Sequence, residues 1–422
     1  MSRFLLRVIT VVVYAVGGAA SAEEKDVDAR FAAMQARIEQ LEARLAAQGE
    51  ELAQAKQVAS APAAAALPDV AAAEPSFFDT INVSGFVAAS YFYNFNHPDG
   101  DSLSGSNAPV DLLHPDSHSF SLDQVWLTLS RDASEEQRAG FKADFVYGKT
   151  ASILSGNNND GNAGNDFDLY QGYVTYLAPI GDGVTLQAGK FATLIGAEVA
   201  SAKDNWNVTR GNVYNYLQPI NHTGVLASTA LGPVSATFGV VDETRAFPAT
   251  NVDKNNNKAL LFGLGATGET FAGSFAATYG RSPTGATKDD KELILDFIAR
   301  FTPSESFSSY VNFDYISSEN SANPFADFDG FGISAAARFA LAESTGIAAR
   351  AEYLKLDPEA GSDFGIWGLT GTLDHALGGG LTVRGELRYD ALTESGTLYV
   401  GDDGPGDDDD QLTVGLELIY AL

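Results

Sequence analysis

The stretch LTVRGELRYDAL places Leu381, Val383, Gly385, Leu387 and Tyr389 on one side of an extended chain and Thr382, Arg384, Glu386, Arg388 and Asp390 on the other. Successive side chains of a strand point to opposite faces, so this segment has one apolar and one strongly charged face. A soluble core has no room for the second face, and a sheet in water has no need for so regular a first one. KELILDFIARF repeats the arrangement, with Leu293, Leu295, Phe297, Ala299 and Phe301 opposite Glu292, Asp296 and Arg300. FGISAAARFAL sets Phe331, Ile333, Ala335, Ala337 and Phe339 opposite Ser334 and Arg338, and QLTVGLELIYAL carries apolar residues at every second position from Leu412 to Leu422. Runs of roughly ten residues are long enough to cross a thin membrane at a tilt. These segments therefore predict strands with lipid on one side and water on the other.

Such segments recur at 80–95, 119–131, 138–150, 167–178, 183–194, 222–231, 232–242, 258–267, 270–281, 291–302, 306–317, 328–341, 345–356, 364–375, 380–392 and 411–422, about sixteen strands in all. Connections after the even-numbered ones are tight, as in PIGDG, LGP, TGET, TPSES, AEST and LGGG. Those after odd-numbered ones are mostly long and rich in Asn, Asp, Ser and Gly. Short turns at one end and long loops at the other belong to an outer-membrane barrel. The expected fold is an all-β transmembrane antiparallel barrel over 78–422, with both barrel ends on the periplasmic, short-turn side. A two-sheet sandwich is the competing fold, but its outward face should be polar and its strands shorter.

Upstream, the chain changes character. Arg3 and Arg7 precede the apolar run VITVVVYAV, and Ala20-Ser21-Ala22 supplies small residues for cleavage, so 1–22 is expected to be a signal peptide. That run is shorter than the roughly 20 residues that span a bilayer as a helix. Val27, Phe31, Met34, Ile38, Leu41, Leu45 and Leu52 alternate spacings of three and four, predicting a short coiled-coil helix over 23–58 in the periplasm. A single amphipathic helix is the plainer alternative. An Ala/Pro-rich linker fills 59–77.

Of 422 residues, 55 are Asp or Glu and 26 are Lys or Arg, a formal charge of −29. A nucleic-acid partner is thereby excluded, because such a partner needs surplus cations. Cys is absent, which removes disulfide frameworks and thiolate metal sites. The five histidines, His97, His114, His118, His222 and His375, accompany no nucleophile motif, HExxH or phosphate loop. No enzymatic activity, cofactor or metal is expected, and a strand-end His222 is read as a structural hydrogen-bonding group. NNNDGNAGNDFD offers oxygen ligands but not the twelve-residue calcium-loop pattern.

SGFVAASYFYNFNHPDG at 84–100, FSLDQVWLTLSRD at 120–132 and above all the stretch from Leu169 to Thr223 resemble β-barrel porins of the OmpL-like type. The N-terminal coiled coil is similar to that of the phosphate-selective porins. Membership implies an outer-membrane barrel with a transport role, and implies that the connection 195–221 folds into the lumen. Glu198, Lys203, Asp204 and Arg210 then become constriction candidates; the alternative is a loop lying over the mouth with its charges in water. Lys142, Lys190, Arg300, Arg338, Arg350, Arg384, Glu386 and Arg388 are expected on the lumen wall, either setting a transverse field or simply solvating the channel and pairing with one another. Acidic outer loops, GDDGPGDDDD with Asp99, Asp101, Asp160, Asp166 and Asp168, favour cations at the mouth.

The expected function is a passive channel for small hydrophilic solutes, mildly cation-preferring, seated in outer-membrane lipid as a homotrimer. A porin selective for an organic acid, sugar or phosphate, and a structural tether with little conductance, are the competing readings.

Overall fold

The computed structural model describes residues 80–96, 111–115, 117–154, 166–245, 258–283, 287, 289–324, 326–393, 399–401 and 404–422. The expected signal peptide, coiled coil and linker lie outside these residues.

Alternation of lipid-facing and lumen-facing side chains closes a single sheet on itself. Its strands are β1 (Asn82–Asn94), β2 (Ser119–Arg131), β3 (Ala139–Tyr147), β4 (Phe167–Ala178), β5 (Val184–Ala192), β6 (Asn221–Leu231), β7 (Val234–Val241) and β8 (Ala259–Thr267). They continue with β9 (Phe271–Arg281), β10 (Lys291–Ser304), β11 (Phe307–Ser318), β12 (Phe328–Ala342), β13 (Thr345–Pro358), β14 (Phe364–Gly378) and β15 (Leu381–Leu392). A small separate hairpin, β16 (Tyr399–Gly401) and β17 (Gly404–Asp408), precedes β18 (Asp410–Ala421). Every strand of the barrel pairs antiparallel with its sequence neighbour, β15 skips the hairpin to reach β18, and β18 closes against β1 with Phe86 opposite Ala421 and Asn94 opposite Thr413. The barrel thus has the sixteen strands that the sequence predicts, and no sheet edge is left to aggregate.

Connections follow the expected alternation. The turns 232–233, 305–306, 343–344 and 379–380 are minimal, whereas 95–118, 148–166, 193–220, 242–258 and 393–409 are long. Asp168, expected in an outer loop, instead belongs to β4.

Outward positions form a continuous apolar surface. Leu369, Leu373, Leu387, Leu416 and Leu418 are exposed along neighbouring strands. Aromatic side chains collect towards the strand ends: Phe331, Tyr353 and Trp367 pack in sequence at one end, with centroid distances of 5.9 and 4.7 Å, and Phe307 meets Phe339 at 4.6 Å near the other. An apolar belt between aromatic girdles is what a barrel embedded in lipid requires. Among the described residues no helix is long and apolar enough to cross a membrane.

Candidate functional site

The lumen is not uniformly open. Loop 193–220 leaves the wall at β5, turns through a 3-10 turn (Ala202–Asp204) and a short helix, and returns at β6. Among the described residues the barrel's connections hold two short α-helices, α1 (Lys149–Leu154) and α2 (Asn212–Leu217). The loop carries apolar residues inward because they meet apolar residues on the wall. Ile195, Val213 and Leu217 pack with Ala276, Ile294, Ile316, Leu354 and Ile366, lumen-side residues of β9, β10, β11, β13 and β14. Ala200, Ala202, Tyr214 and Ile220 join a second cluster with Phe86, Trp126, Tyr170 and Ile419, covered by Leu113 of loop 95–118 and Leu154 of α1.

Polar groups then fix the loop's position along β13 to β15. Glu386 accepts hydrogen bonds from the backbone N–H of Val208 at 2.6 Å and of Thr209 at 3.1 Å. Arg388 donates to the carbonyl of Arg210 at 2.7 Å and pairs with Asp390, whose other oxygen accepts from Asn212 at 2.8 Å. Arg384 donates to the carbonyls of Asn205 and Ala202, at 2.8 and 3.0 Å, and pairs with Glu417 of β18. Arg350 joins the Glu198 carboxylate at 2.6 Å and the carbonyl of Thr209 at 2.7 Å. On β2, the Gln124 amide donates to Ala200 and accepts from the Ala202 N–H. On β11, Asn312 accepts from the Ala197 N–H at 2.9 Å and from Gln218 at 3.0 Å.

Arg210 is a different kind of fastener. Fully buried, it donates to the carbonyls of Val199, Val208 and Ala200 at 2.6–2.9 Å, locking the two legs of the loop to each other. Its N–H donates to Asp111 at 3.0 Å, and Asp111 in turn holds His114 at 2.9 Å. Burial alone would push the Asp111 carboxyl up, but the His114 bond and the charges of His114, Arg210 and Arg388 outweigh it and hold the group well below the usual carboxylate range. Burial would likewise lower the His114 imidazole, yet the Asp111 bond and the charges of Asp123 and Asp111 prevail and raise it. Burial pushes the Tyr216 phenol up to about 12, aided by the charge of Asp390.

The expected site residues divide accordingly. Lys203 and Asp204 are exposed on the loop and paired with each other at 2.5 Å. Glu198 and Arg210 belong to the loop and are taken up in its ties, Glu198 by Arg350 of β13 and the Gly211 N–H, Arg210 by the loop's own carbonyls. On the wall, Arg350, Arg384, Glu386 and Arg388 are 2–4 % exposed, which corrects the expectation that they line open water: the loop covers them and takes their hydrogen bonds. Lys190 is buried against Asp168 at 3.3 Å. Lys142 is half-buried beside Asp144 at 3.3 Å, and Arg338 pairs with Asp374 at 2.8 Å. Arg300 remains exposed, lying over the Tyr310 ring at 5.7 Å and donating weakly to the carbonyl of Ala197. His222 contacts Thr193 at 3.1 Å and the carbonyl of Glu243 at 3.3 Å, the structural role expected of it.

What stays accessible lies across the barrel. Ser228 and Thr237, hydrogen-bonded at 2.9 Å, together with Ser235, Gly265, Ala272 and Ser274, are partly accessible small residues on β6 to β9, beside Gly263 and Ala276, which loop residues Leu194 and Ile195 reach. Towards the short-turn end, Lys203, Trp206, Arg338, Asp374 and Arg384 border a cavity of about 420 Å³. Trp206 of the loop packs near Tyr310, with ring centroids 5.3 Å apart, and borders this space.

Solved structures of similar fold are outer-membrane proteins, among them a channel and a porin. OmpT of Vibrio cholerae in its trimer form aligns with a TM-score of 0.54 at 12% identity, covering 81% of this chain and 99% of that one. The channel DcaP of Acinetobacter baumannii gives 0.55 at 12%, covering 81% and 97%, and an anion-selective porin from Comamonas acidovorans gives 0.55 at 14%, covering 81% and 99%. No curated protein matches the sequence. The family described as "Putative beta-barrel porin-2, OmpL-like" matches residues 80–422, the whole barrel. The chain therefore belongs to the OmpL-like family of outer-membrane β-barrel porins.

Proposed function

We propose that the chain is a passive diffusion channel for small hydrophilic solutes, narrowed by loop 193–220. One observation carries this reading: the loop's hydrogen bonds go to β2 and the β11–β15 side, while the β6–β9 wall keeps partly accessible Ser, Thr, Ala and Gly residues. A wall of small polar groups leaves water continuous along it and binds nothing tightly. Lys203, Asp204 and Arg300 are the charges nearest this passage, and Arg338 with Asp374 borders its short-turn end.

The formal charge of −29 and the acidic outer loops favour cations at the mouth, over a Debye length of roughly 8 Å at physiological salt. Arg300 opposes them at the constriction. The resulting selectivity is mildly cationic. Trimeric assembly is supported by the outward groove among Ala335, Ala337, Ala349, Ala351 and Gly371, where a neighbouring barrel can approach closely. The coiled coil at 23–58 then stands in the periplasm as an auxiliary trimer contact, following the signal peptide at 1–22 and joined through the linker at 59–77.

A second, solute-selective reading is favoured by the cavity beside Trp206: Lys203 and Arg338 at its border suit the charge of a small organic anion, whose apolar part can lie against the indole. Liposome swelling separates the two. Uptake rates that fall smoothly with the size of neutral solutes support diffusion, whereas rapid uptake of one organic acid among equally sized solutes supports selectivity. No swelling by liposomes bearing folded barrel would contradict both and favour a tether.

A further inference from the structure

Where β18, β1 and β2 meet, loop 95–118 lays His114 over the lumen face of the sheet. We propose that His114, Asp123 and Glu417 form a structural site for one divalent transition-metal ion of the zinc type per chain. Donor atoms of the three side chains lie within 4.8 Å of one another, and the residues are 4, 1 and 0 % exposed. His114 Nε2, both Asp123 carboxylate oxygens and Glu417 Oε1 have no hydrogen-bond partner among the described residues. Native structures seldom bury so many polar atoms together without something to satisfy them.

The surroundings aim these atoms inward. Asp111 Oδ2 holds His114 Nδ1 at 2.9 Å, which leaves Nε2 as the ring nitrogen that binds an ion once its proton is displaced. A carboxylate behind the ring is the usual support of a metal-binding imidazole. Arg384 occupies Glu417 Oε2, at 2.6 Å from its Nε, and leaves Oε1 free. Asp123 sits at a β-bulge: Ala88 pairs with Gln124 and Ala89 with Leu122, so Asp123 is the extra residue, inward beside Gln124 rather than alternating with it. Gly148, at φ +116°, permits the bulge, since a Cβ there would lie 2.7 Å from the Leu122 carbonyl and 2.9 Å from that of Asp123.

The donor set selects the ion. One imidazole nitrogen with two carboxylates suits a first-row divalent metal, whereas calcium and magnesium take all-oxygen shells of six or more. Zinc ligands stand roughly 2.0–2.2 Å from the ion, hence about 3.4 Å apart in a tetrahedron, so the three groups need to close by about 1 Å. The second Asp123 oxygen or a water completes the shell. Two carboxylates neutralise the ion, which then bridges the outer loop to β2 and β18. Asp111, behind His114, also holds the Arg210 N–H, so the ion steadies the constriction loop from one side. This inference stands independently of what the channel conducts.

The test uses the full folded chain, stripped with chelator and equilibrated with Zn²⁺. Metal analysis should find one zinc per chain above the content of His114→Ala and Asp123→Asn, each retaining under about a tenth of that increment. X-ray absorption on the zinc-loaded wild type should show one imidazole with oxygen ligands at about 2.0–2.1 Å. Equal zinc on wild type and variants would mean adventitious binding to acidic loops and overturn the proposal. So would no stoichiometric zinc on folded wild type, leaving His114 and Asp123 as a plain ion pair. If the variants do not fold, the absorption spectrum of the wild type decides alone, and the absence of imidazole there would overturn the site.

Discussion

Arg350 has water on no side and carboxylates on two, Glu198 at 2.6 Å and Glu352 at 3.5 Å. Removing the guanidinium strands two buried acids, a loss of about 3–5 kcal/mol for a broken buried pair. Arg350→Ala should therefore lower the urea midpoint of detergent-folded barrel markedly and raise single-channel conductance by freeing the loop's near end. Arg350→Lys should recover little, because a lysine cannot bridge Glu198, Thr209 and Thr370 with one planar fork. Asp290 offers a test outside the membrane. Bonds from Thr287, chiefly its backbone N–H, and from Ser321 hold its carboxyl down at about 2, below the ordinary 3.8. A depressed carboxylate stabilises above its unfolded value and loses that contribution as pH falls through the folded one. Protection of the Thr287 amide, corrected for the intrinsic exchange rate, should thus persist at pH 5 and fall between about pH 4 and 2. In sequence, alternation sets Arg350, Arg384, Glu386 and Arg388 on the strand face opposite the exposed apolar residues, because side-chain direction in a strand is fixed by parity. Parity says nothing of what fills the space in front of them. Asp123 escaped notice for a related reason: a bulge breaks the alternation, and its only trace is two adjacent polar residues, Asp123 and Gln124, within a strand.

At the level of elements, loop 193–220 and the wall it packs against match each other. Ile294, Ile316, Leu354 and Ile366 are apolar residues on the lumen side of their strands, where a water-filled barrel needs polar ones. That anomaly is the sequence signal that something apolar docks there, and Ile195, Val213 and Leu217 are what docks. It was overlooked in KELILDFIARF because Glu292, Asp296 and Arg300 made the inner face look uniformly polar. Gly332 on β12 completes the seat. A Cβ at this position would lie 2.8 Å from Val213 Cγ2 and 2.9 Å from Leu217 Cδ1, so α2 depends on its absence. Gly332→Val should overpack the contact by about 1–3 kcal/mol, with faster amide exchange in α2 and little change in the strands. Exchange mass spectrometry checks this; uniform exchange across loop 193–220 would contradict the seat.

For the whole molecule, strand number, antiparallel order and the asymmetry of turns and loops were legible because a membrane barrel repeats one local rule sixteen times. The interior was less legible, since it depends on contacts between residues far apart in sequence, such as Glu386 with Val208 and Arg388 with Asn212. Charge belongs to this scale too. Arg300→Glu reverses the exposed cation beside the passage while leaving the buried ties intact. The reversal potential under a salt gradient should move further towards cations, more strongly at low salt than at 1 M, where the Debye length falls to about 3 Å.

Single-channel conductance of the purified chain in a planar bilayer tests the central claim most directly. Discrete steps proportional to bulk salt conductivity, entering in threes and enlarged by Arg350→Ala, are the expected result. Correctly folded protein that inserts yet gives no steps would show that loop 193–220 seals the barrel, and would contradict the diffusion channel.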